Sequence, residues 1–267
     1  MDVWRCLKKN YEKIFSLKIS VPFSSRRPVA GFKFIPTIIK KSMEENVRQY
    51  YAFINGQIKM PEHLAPQKTE KGVLFKNPFV EKYLSRTPVW VVQVMWILVA
   101  AFVIWYSYAR VGLAVWHIIL LFSGGVLFWT FAEYMVHRFL YHSETNSKFL
   151  YRLQYNAHGI HHQYPRDPDR LAMPPLPALI IASVFLALFW LVLRDFSFPF
   201  FSGFMIGYIL YISFHYAEHR FHPIRIFKKL WEHHAYHHYK NPYKDFGVSI
   251  QLWDWVFGTM SKPEKKN

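Results

Sequence analysis

Residues 89–108 read VWVVQVMWILVAAFVIWYSY, about 20 consecutive residues without a charged side chain. At about 1.5 Å per residue a helix of that length crosses the roughly 30 Å of hydrocarbon in a bilayer. A buried helix of a water-soluble protein would show a polar face and a shorter apolar run, and this stretch shows neither. Residues 112–131 have the same length and carry only His117 as an ionisable group, which predicts a second span after a short turn. Downstream, 174–193 (PPLPALIIASVFLALFWLVL) and 198–216 (FPFFSGFMIGYILYISFHY) predict a third and a fourth, joined by Arg194-Asp195-Phe196-Ser197. The expected fold is therefore all-α and integral to a membrane, with four transmembrane helices in two hairpins.

Composition agrees with that reading. The 267 residues are 52% apolar and 19% aromatic, outside the range of an ordinary soluble domain. A net charge of +16 raises the question of nucleic acid, but the distribution answers it. Of 33 Lys and Arg, 17 fall in residues 1–87, 5 in 132–173 and 9 in 219–267, and only Arg110 and Arg194 lie in the predicted hairpin turns. By the positive-inside tendency both turns face away from the cytosol, and both termini and the 132–173 segment face it. The basic surface then meets anionic lipid headgroups rather than nucleic acid. Residues 1–40 contain no apolar signal-peptide core, so the first span is expected to act as the insertion signal. The single cysteine, Cys6, allows neither an internal disulfide nor a thiolate cluster.

Fourteen histidines occur, and most avoid the apolar runs. His137 and His142 follow span two; His158, His161 and His162 lie between spans two and three; His215 and His219 close span four; His233, His234, His237 and His238 follow it. The topology puts all of them on one side of the membrane, which predicts a cytosolic helical cap holding a histidine-rich site. Positions i, i+3 and i+4 of a helix share a face, so His158/His161/His162 and His234/His237/His238 are each expected to present three imidazoles in one direction, and His215/His219 two. His137 and His142, five apart, would diverge by about 140° on an ideal helix, which predicts a distorted or ending helix there. Leaving out His233, ten histidines converge: too many for one metal ion, suited to two. Imidazole accepts Zn, Cu, Fe and Ni alike. His63 and His117 read as surface or packed residues, and His222 and His233 as neighbours of the clusters. Glu133 and Asp254 are candidates to orient imidazoles.

The spacing His137-x4-His142, His158-x2-His161-His162, His215-x3-His219 and His234-x2-His237-His238 around the 174–216 hairpin resembles the integral-membrane fatty acid hydroxylase and sterol desaturase superfamily. HGIHHQYPRDPDRLAMPP, from His158 to Pro175, resembles in particular the fatty acid 2-hydroxylases, which follow the second histidine group with a Pro, an Asp and an Arg-Leu-x-x-Pro-Pro segment. The matching residues are Pro165, Asp167, Arg170, Leu171, Pro174 and Pro175, and LWDWVFGT near the end also matches the superfamily. The resemblance covers roughly residues 75–260. It implies a di-iron centre ligated by the ten histidines, O2 as oxidant, and hydroxylation at C2 of a long acyl chain that is free, thioester-bound or part of a ceramide-like lipid. Zinc, which binds imidazole well, is expected to replace iron in some preparations.

One departure stands out. Many relatives carry a fused cytochrome b5 domain, whereas residues 1–87 contain only His63 and no haem-binding motif. Electrons are then expected from a separate carrier such as a cytochrome b5 or a ferredoxin. The expected organisation is a basic N-terminal segment at the cytosolic membrane surface (1–75), the hydroxylase domain (76–260) and a polar tail (261–267). Tyr164, Asp167, Arg170 and Tyr239, all near ligands, are candidates to clamp the lipid head so that C2 meets the oxidant. A sterol or carotenoid enzyme of the same superfamily and a divalent-metal transporter are the competing readings, ahead of a non-catalytic anchor. Transport would favour ligands at midplane on broken helices. The charge pattern suits a bacterial inner membrane or the endoplasmic reticulum.

Overall fold

The computed structural model describes Pro66, residues 71–145 and residues 147–261, and every regular element among them is helical. The basic segment expected over 1–75 falls almost entirely outside the described residues, as do His63 and the tail after Ser261. The principal helices are α1 (Val89–Ala109), α2 (Val115–Met135), α3 (Lys148–Gln154), α4 (Ile160–Gln163), α5 (Pro175–Leu193), α6 (Ser197–Arg220), α7 (Lys228–Tyr239) and α8 (Leu252–Phe257). Among the described residues three helical stretches are long and apolar enough to cross a membrane: Val89–Ala109, Val115–Tyr141 and Pro168–Arg220. The third contains both α5 and α6, which separate where Arg194 adopts φ 51°.

Boundaries differ from expectation where α6 runs on to Arg220 rather than 216 and at both ends of α2. The second apolar helix begins at Val115 rather than 112, because Gly112 takes a left-handed φ of 76° and Ala114 is still extended. It also runs on beyond 131, as α-helix to Met135 and then as a π-helical turn to Tyr141. This extension carries Glu133 and His137.

Packing centres on α6. Phe189 meets Phe200 at 5.0 Å and Phe185 meets Phe204 at 5.1 Å, so α5 and α6 run antiparallel. Gln93 Nε2 donates to Ser213 Oγ at 2.8 Å while Tyr106 meets Phe198 at 5.2 Å, so α1 is antiparallel to α6 as well. Along α2 the order is parallel: a Cβ on Gly203 would lie 1.9 Å from the Phe122 carbonyl oxygen, and Trp129 sits beside Tyr208 and Tyr211. Only glycine permits that approach, which is how apolar helices pack closely where no hydrophobic drive operates between them. α1 and α2, expected as a hairpin pair, touch each other far less than each touches α6. The C-terminal ends of α2 and α6 and the N-terminal ends of α1 and α5 consequently point the same way, and the histidines lie there.

An ion-pair latch ties the segment before α1 to the loop after α4. Arg86 donates to Asp167 at 2.9 Å and to Glu81 at 3.0 Å, and Arg170 pairs with the same Glu81 and donates to the Gly72 carbonyl at 3.1 Å. Burial alone would raise the Glu81 pKa, but the Phe75 N–H, the two guanidinium groups and the Leu74 N–H outweigh it and hold it at about 2. Glu81 therefore contributes stability that is complete above the ordinary carboxylate range and is lost as pH falls through about 2. Replacing Arg86 by methionine takes the close cation from the fully buried Asp167 carboxylate and leaves it Arg170 at 3.9 Å and the Asp169 N–H at 3.3 Å. The expected cost is about 3 kcal/mol, read as earlier thermal inactivation in detergent, with Arg86→Lys recovering part of it.

Candidate metal centre

Ten buried or half-buried histidines form two groups of five: His137, His142, His158, His162 and His237 in one, His161, His215, His219, His234 and His238 in the other. Within each group one ring nitrogen per residue lies within 4.8 Å of all the others. The ten expected residues are thus the ten brought together, but they are shared out differently from the helical-face expectation. Neither HxxHH run presents three imidazoles in one direction. His158 and His162 enter the first group and His161 the second; His234 and His238 enter the second and His237 the first. The reason is angular. At about 100° per residue, i and i+4 differ by about 40°, whereas i+3 and i+4 differ by about 100°. Two such runs facing each other each contribute a pair to one group and a single imidazole to the other.

The His137–His142 pair depends on the predicted distortion. Val136–Tyr141 is a π-helical turn in which the His142 N–H donates to the His137 carbonyl, five residues back, at 3.1 Å. The wider turn swings His142 round to its partner, and the two ring centroids come within 4.9 Å. A second π turn, Tyr155–Gly159, carries His158. Such turns are rare and concentrate at functional sites.

The nitrogens that face one another are mostly Nε2. His137 to His158 and His158 to His162 measure 2.9 Å each, His162 to His237 3.1 Å, His161 to His238 3.1 Å and His219 to His234 2.9 Å. A neutral imidazole has one N–H, so such a ring of nitrogens cannot be satisfied by hydrogen bonds alone. His142 Nε2 and both ring nitrogens of His215 are buried without a hydrogen-bond partner among the described residues. Burial first, and the neighbouring imidazoles second, hold His158, His161, His162, His234, His237 and His238 well below the ordinary histidine pKa. Neutral, inward-facing Nε2 atoms are the form in which imidazole binds a cation, and each group could hold one metal ion.

The outward nitrogens are oriented from behind. His137 Nδ1 donates to the Phe246 carbonyl at 2.5 Å and His237 Nδ1 to the Lys244 carbonyl at 2.7 Å. That loop is held by two buried carboxylates. Glu133 accepts the N–H groups of Val248 at 2.7 Å and Ser249 at 2.9 Å; Asp254 accepts those of Phe246 at 2.9 Å and Gly247 at 2.6 Å, and the Thr259 hydroxyl at 2.6 Å. Glu133 and Asp254 were candidates to orient imidazoles; the one imidazole that Asp254 meets among the described residues is that of His233, at 3.1 Å, and both carboxylates act on the pair of ligating candidates through the loop backbone. His233, expected either to support the clusters from behind or to stand beside them, is buried between Asp254 and Asp245 and pins α7 to the same loop. Sequence spacing did not mark Asp245, nor Glu218, whose carboxylate lies 3.7 Å from His234 Nδ1, nor the two carbonyls, which any residue type could supply.

A cavity of about 270 Å³ adjoins both groups, lined by His158 of the first and His161 and His215 of the second. Tyr141, Tyr208 and Tyr211 add hydroxyl-bearing walls, and most other lining residues are apolar. The Tyr141 ring stacks on His158 at 4.9 Å. Of the four candidates for a head clamp, only Arg170 reaches this cavity, and its guanidinium is already engaged by Glu81, Ser85 and Gly72. Asp167 is committed to Arg86, Tyr164 packs on Gly72, and Tyr239 is half-exposed. His117 packs beside Trp116 near the start of α2, and His222 is exposed. Neither joins a group.

Comparison with known proteins agrees with this geometry. A model of the fatty acid hydroxylase family matches residues 122–259, which contain all ten histidines. A dihydroceramide fatty acyl 2-hydroxylase of Arabidopsis thaliana is 34% identical over 201 residues, covering 73% of this chain and 83% of the relative. Fatty acid 2-hydroxylase of Mus musculus is 38% identical over 149 residues, 54% of this chain and 40% of that protein. A solved structure of full-length scs7p, in which only the hydroxylase domain is visible, superposes with a TM-score of 0.67 at 28% identity, covering 84% of this chain and 94% of the other. The chain belongs to the fatty acid hydroxylase family, and with it to the oxidoreductases that hydroxylate fatty acyl chains.

Proposed function

We propose that the protein is an O2-dependent membrane hydroxylase that inserts a hydroxyl at C2 of a long acyl chain, free, thioester-bound or within a ceramide-like lipid, using two iron ions and electrons from a separate carrier such as a cytochrome b5 or a ferredoxin. The observation that carries this reading is the division of ten imidazoles into two adjacent sets of five, both of which adjoin one largely apolar cavity. Four spans in two hairpins, with both termini and the histidines cytosolic, complete it. They would put the cavity at the bilayer surface of an inner or endoplasmic reticulum membrane.

In this reading His137, His142, His158, His162 and His237 hold one iron, and His161, His215, His219, His234 and His238 the other. Bound iron supplies O2 activation and the oxidising power for the C–H bond. The chain supplies position. Leu171, Ala172, Met173 and Pro177 make an apolar wall for the acyl carbons, and Tyr141, Tyr208 and Tyr211 offer hydroxyls near the histidines where a polar head would stop. A head held at that depth places the carbon next to it beside the metals. Buried walls also keep bulk water from the reacting carbon. Feeding the expressing cell an acyl chain deuterated at C2 tests the position: the product loses one deuterium, and retention of both with oxygen added elsewhere would move the assignment to another carbon.

Leu84, Leu153 and Ile181 line the cavity and are each more than one-third exposed, so they rim its mouth. Leu153→Trp narrows that mouth without touching a histidine. KM is expected to rise roughly tenfold with kcat little changed, measured with detergent-dispersed lipid substrate; a kcat defect at unchanged KM would place Leu153 elsewhere in the reaction path.

A further inference from the structure

Two segments outside the histidine groups each expose large apolar side chains. The first is the stretch 221–227 between α6 and α7, where Ile226 is 79% exposed and Ile224 is exposed beside it. The second is α8, whose inner face carries the buried Asp254 while Trp255, at 72% exposure, and Val256 point outward. Their depth along the bundle follows from contacts. Trp253 Nε1 donates to Thr130 Oγ1 at 3.0 Å and Phe257 stacks on Tyr134 at 5.2 Å, so α8 lies against the 130–134 turn of α2. Phe227 packs on Phe214 of α6 at 5.3 Å, and Gln251 Nε2 donates to the Lys229 carbonyl at 3.0 Å, joining the two segments.

Because α2 and α6 run parallel with Trp129 beside Tyr208 and Tyr211, Tyr134 and Phe214 stand at about the same level. That level falls inside the apolar stretches Val115–Tyr141 and Pro168–Arg220, about one turn short of His137 and His219. The residues around the first segment, 220–229, read RFHPIRIFKK, four basic and none acidic. Arg220, Arg225, Lys228 and Lys229 are exposed, Lys228 also reaching Glu232 at 3.6 Å.

We infer that these two segments form an interfacial collar whose partner is the anionic lipid surface: Ile224, Ile226, Trp255 and Val256 enter the headgroup–acyl boundary and Arg220, Arg225 and Lys229 meet lipid phosphates. Apolar side chains flanked by basic ones at that depth are the pattern of in-plane membrane segments, and tryptophan concentrates there. The inference rests on the membrane reading above. It adds that α8 is a lipid-bound element whose other face, through Asp254, holds the loop that orients His137 and His237.

The test replaces Cys6 by serine and introduces one cysteine at a time, Ile226→Cys or Trp255→Cys, each labelled with an environment-sensitive fluorophore. Leu120→Cys on the outward face of α2 and Glu144→Cys in the exposed loop after His142 are the controls. The protein is reconstituted into phosphatidylcholine vesicles with and without phosphatidylserine, containing lipids nitroxide-labelled near the headgroup or deep in the chain. Both collar labels are expected to lose emission mainly to the shallow nitroxide, the Leu120 label mainly to the deep one and the Glu144 label to neither. Phosphatidylserine is expected to deepen the loss at Ile226. Unquenched collar labels with a quenched Leu120 label overturn the collar and leave the spans intact, assigning the patch to water or a protein. Loss of quenching at Leu120 as well overturns the membrane reading itself.

Discussion

His161→Ala and His162→Ala, adjacent in sequence, are expected to remove different metal ions. His162 Nε2 lies 2.9 Å from His158 Nε2 and 3.1 Å from His237 Nε2, in the first group; His161 Nε2 lies 3.1 Å from His238 Nε2, in the second. Each single variant should retain about one ion per chain and lose at least about 100-fold in hydroxylation, since two ions act as a unit and removing either disables it. The double variant should hold none. Metal analysis of purified protein gives the counts, and anomalous scattering shows which position empties. Loss of the same ion from both variants would mean that the HxxHH run does not straddle the two groups.

Asp254→Ala should produce the largest effect among residues that touch none of the ten. Its carboxylate collects the N–H groups of Phe246 and Gly247, the Thr259 hydroxyl and His233. Burial pushes its pKa up, but these donors outweigh that and keep it low, so it is ionised at working pH. Without it the Phe246 and Lys244 carbonyls lose their fixed positions, and His137 and His237 lose the acceptors that set their tautomers. Partners of this kind are worth about 10–100-fold in metal affinity or activity. The loss should fall on the first group, with the second retaining its ion longer during chelator titration. Asp254→Asn keeps one acceptor oxygen and should recover part. Equal release from both groups would reduce Asp254 to a general stabiliser of the fold.

The apolar helices were legible because about 20 uncharged residues have few alternatives, and the histidine set because four spaced clusters fell on one side of the predicted topology. What was not legible has physical causes. The start of α2 slid to Val115 through the backbone of Gly112, a conformation that composition does not encode. The π turn was foreseen only as a distortion, since five-residue spacing says that an α-helix fails but not how. Assigning all three histidines of an HxxHH run to one face overlooked the 100° between i+3 and i+4, which matters once two centres sit side by side. Arg86 and Glu81 were missed because Asp167 and Arg170, with which they pair, lie 80 or more residues away, and the Lys244 and Phe246 carbonyls because they are backbone atoms that no residue type marks.

The most direct test of the account is mass spectrometry of total lipids from a host that lacks 2-hydroxy acyl chains, supplied with iron and expressing either this protein or its His161→Ala, His162→Ala double variant. Acyl chains carrying one added oxygen at C2 are expected with the intact protein only, while the variant stays in the membrane fraction without making them. Equal 2-hydroxylation by the variant, or no added oxygen from the intact protein when iron and an electron donor are present, would contradict it.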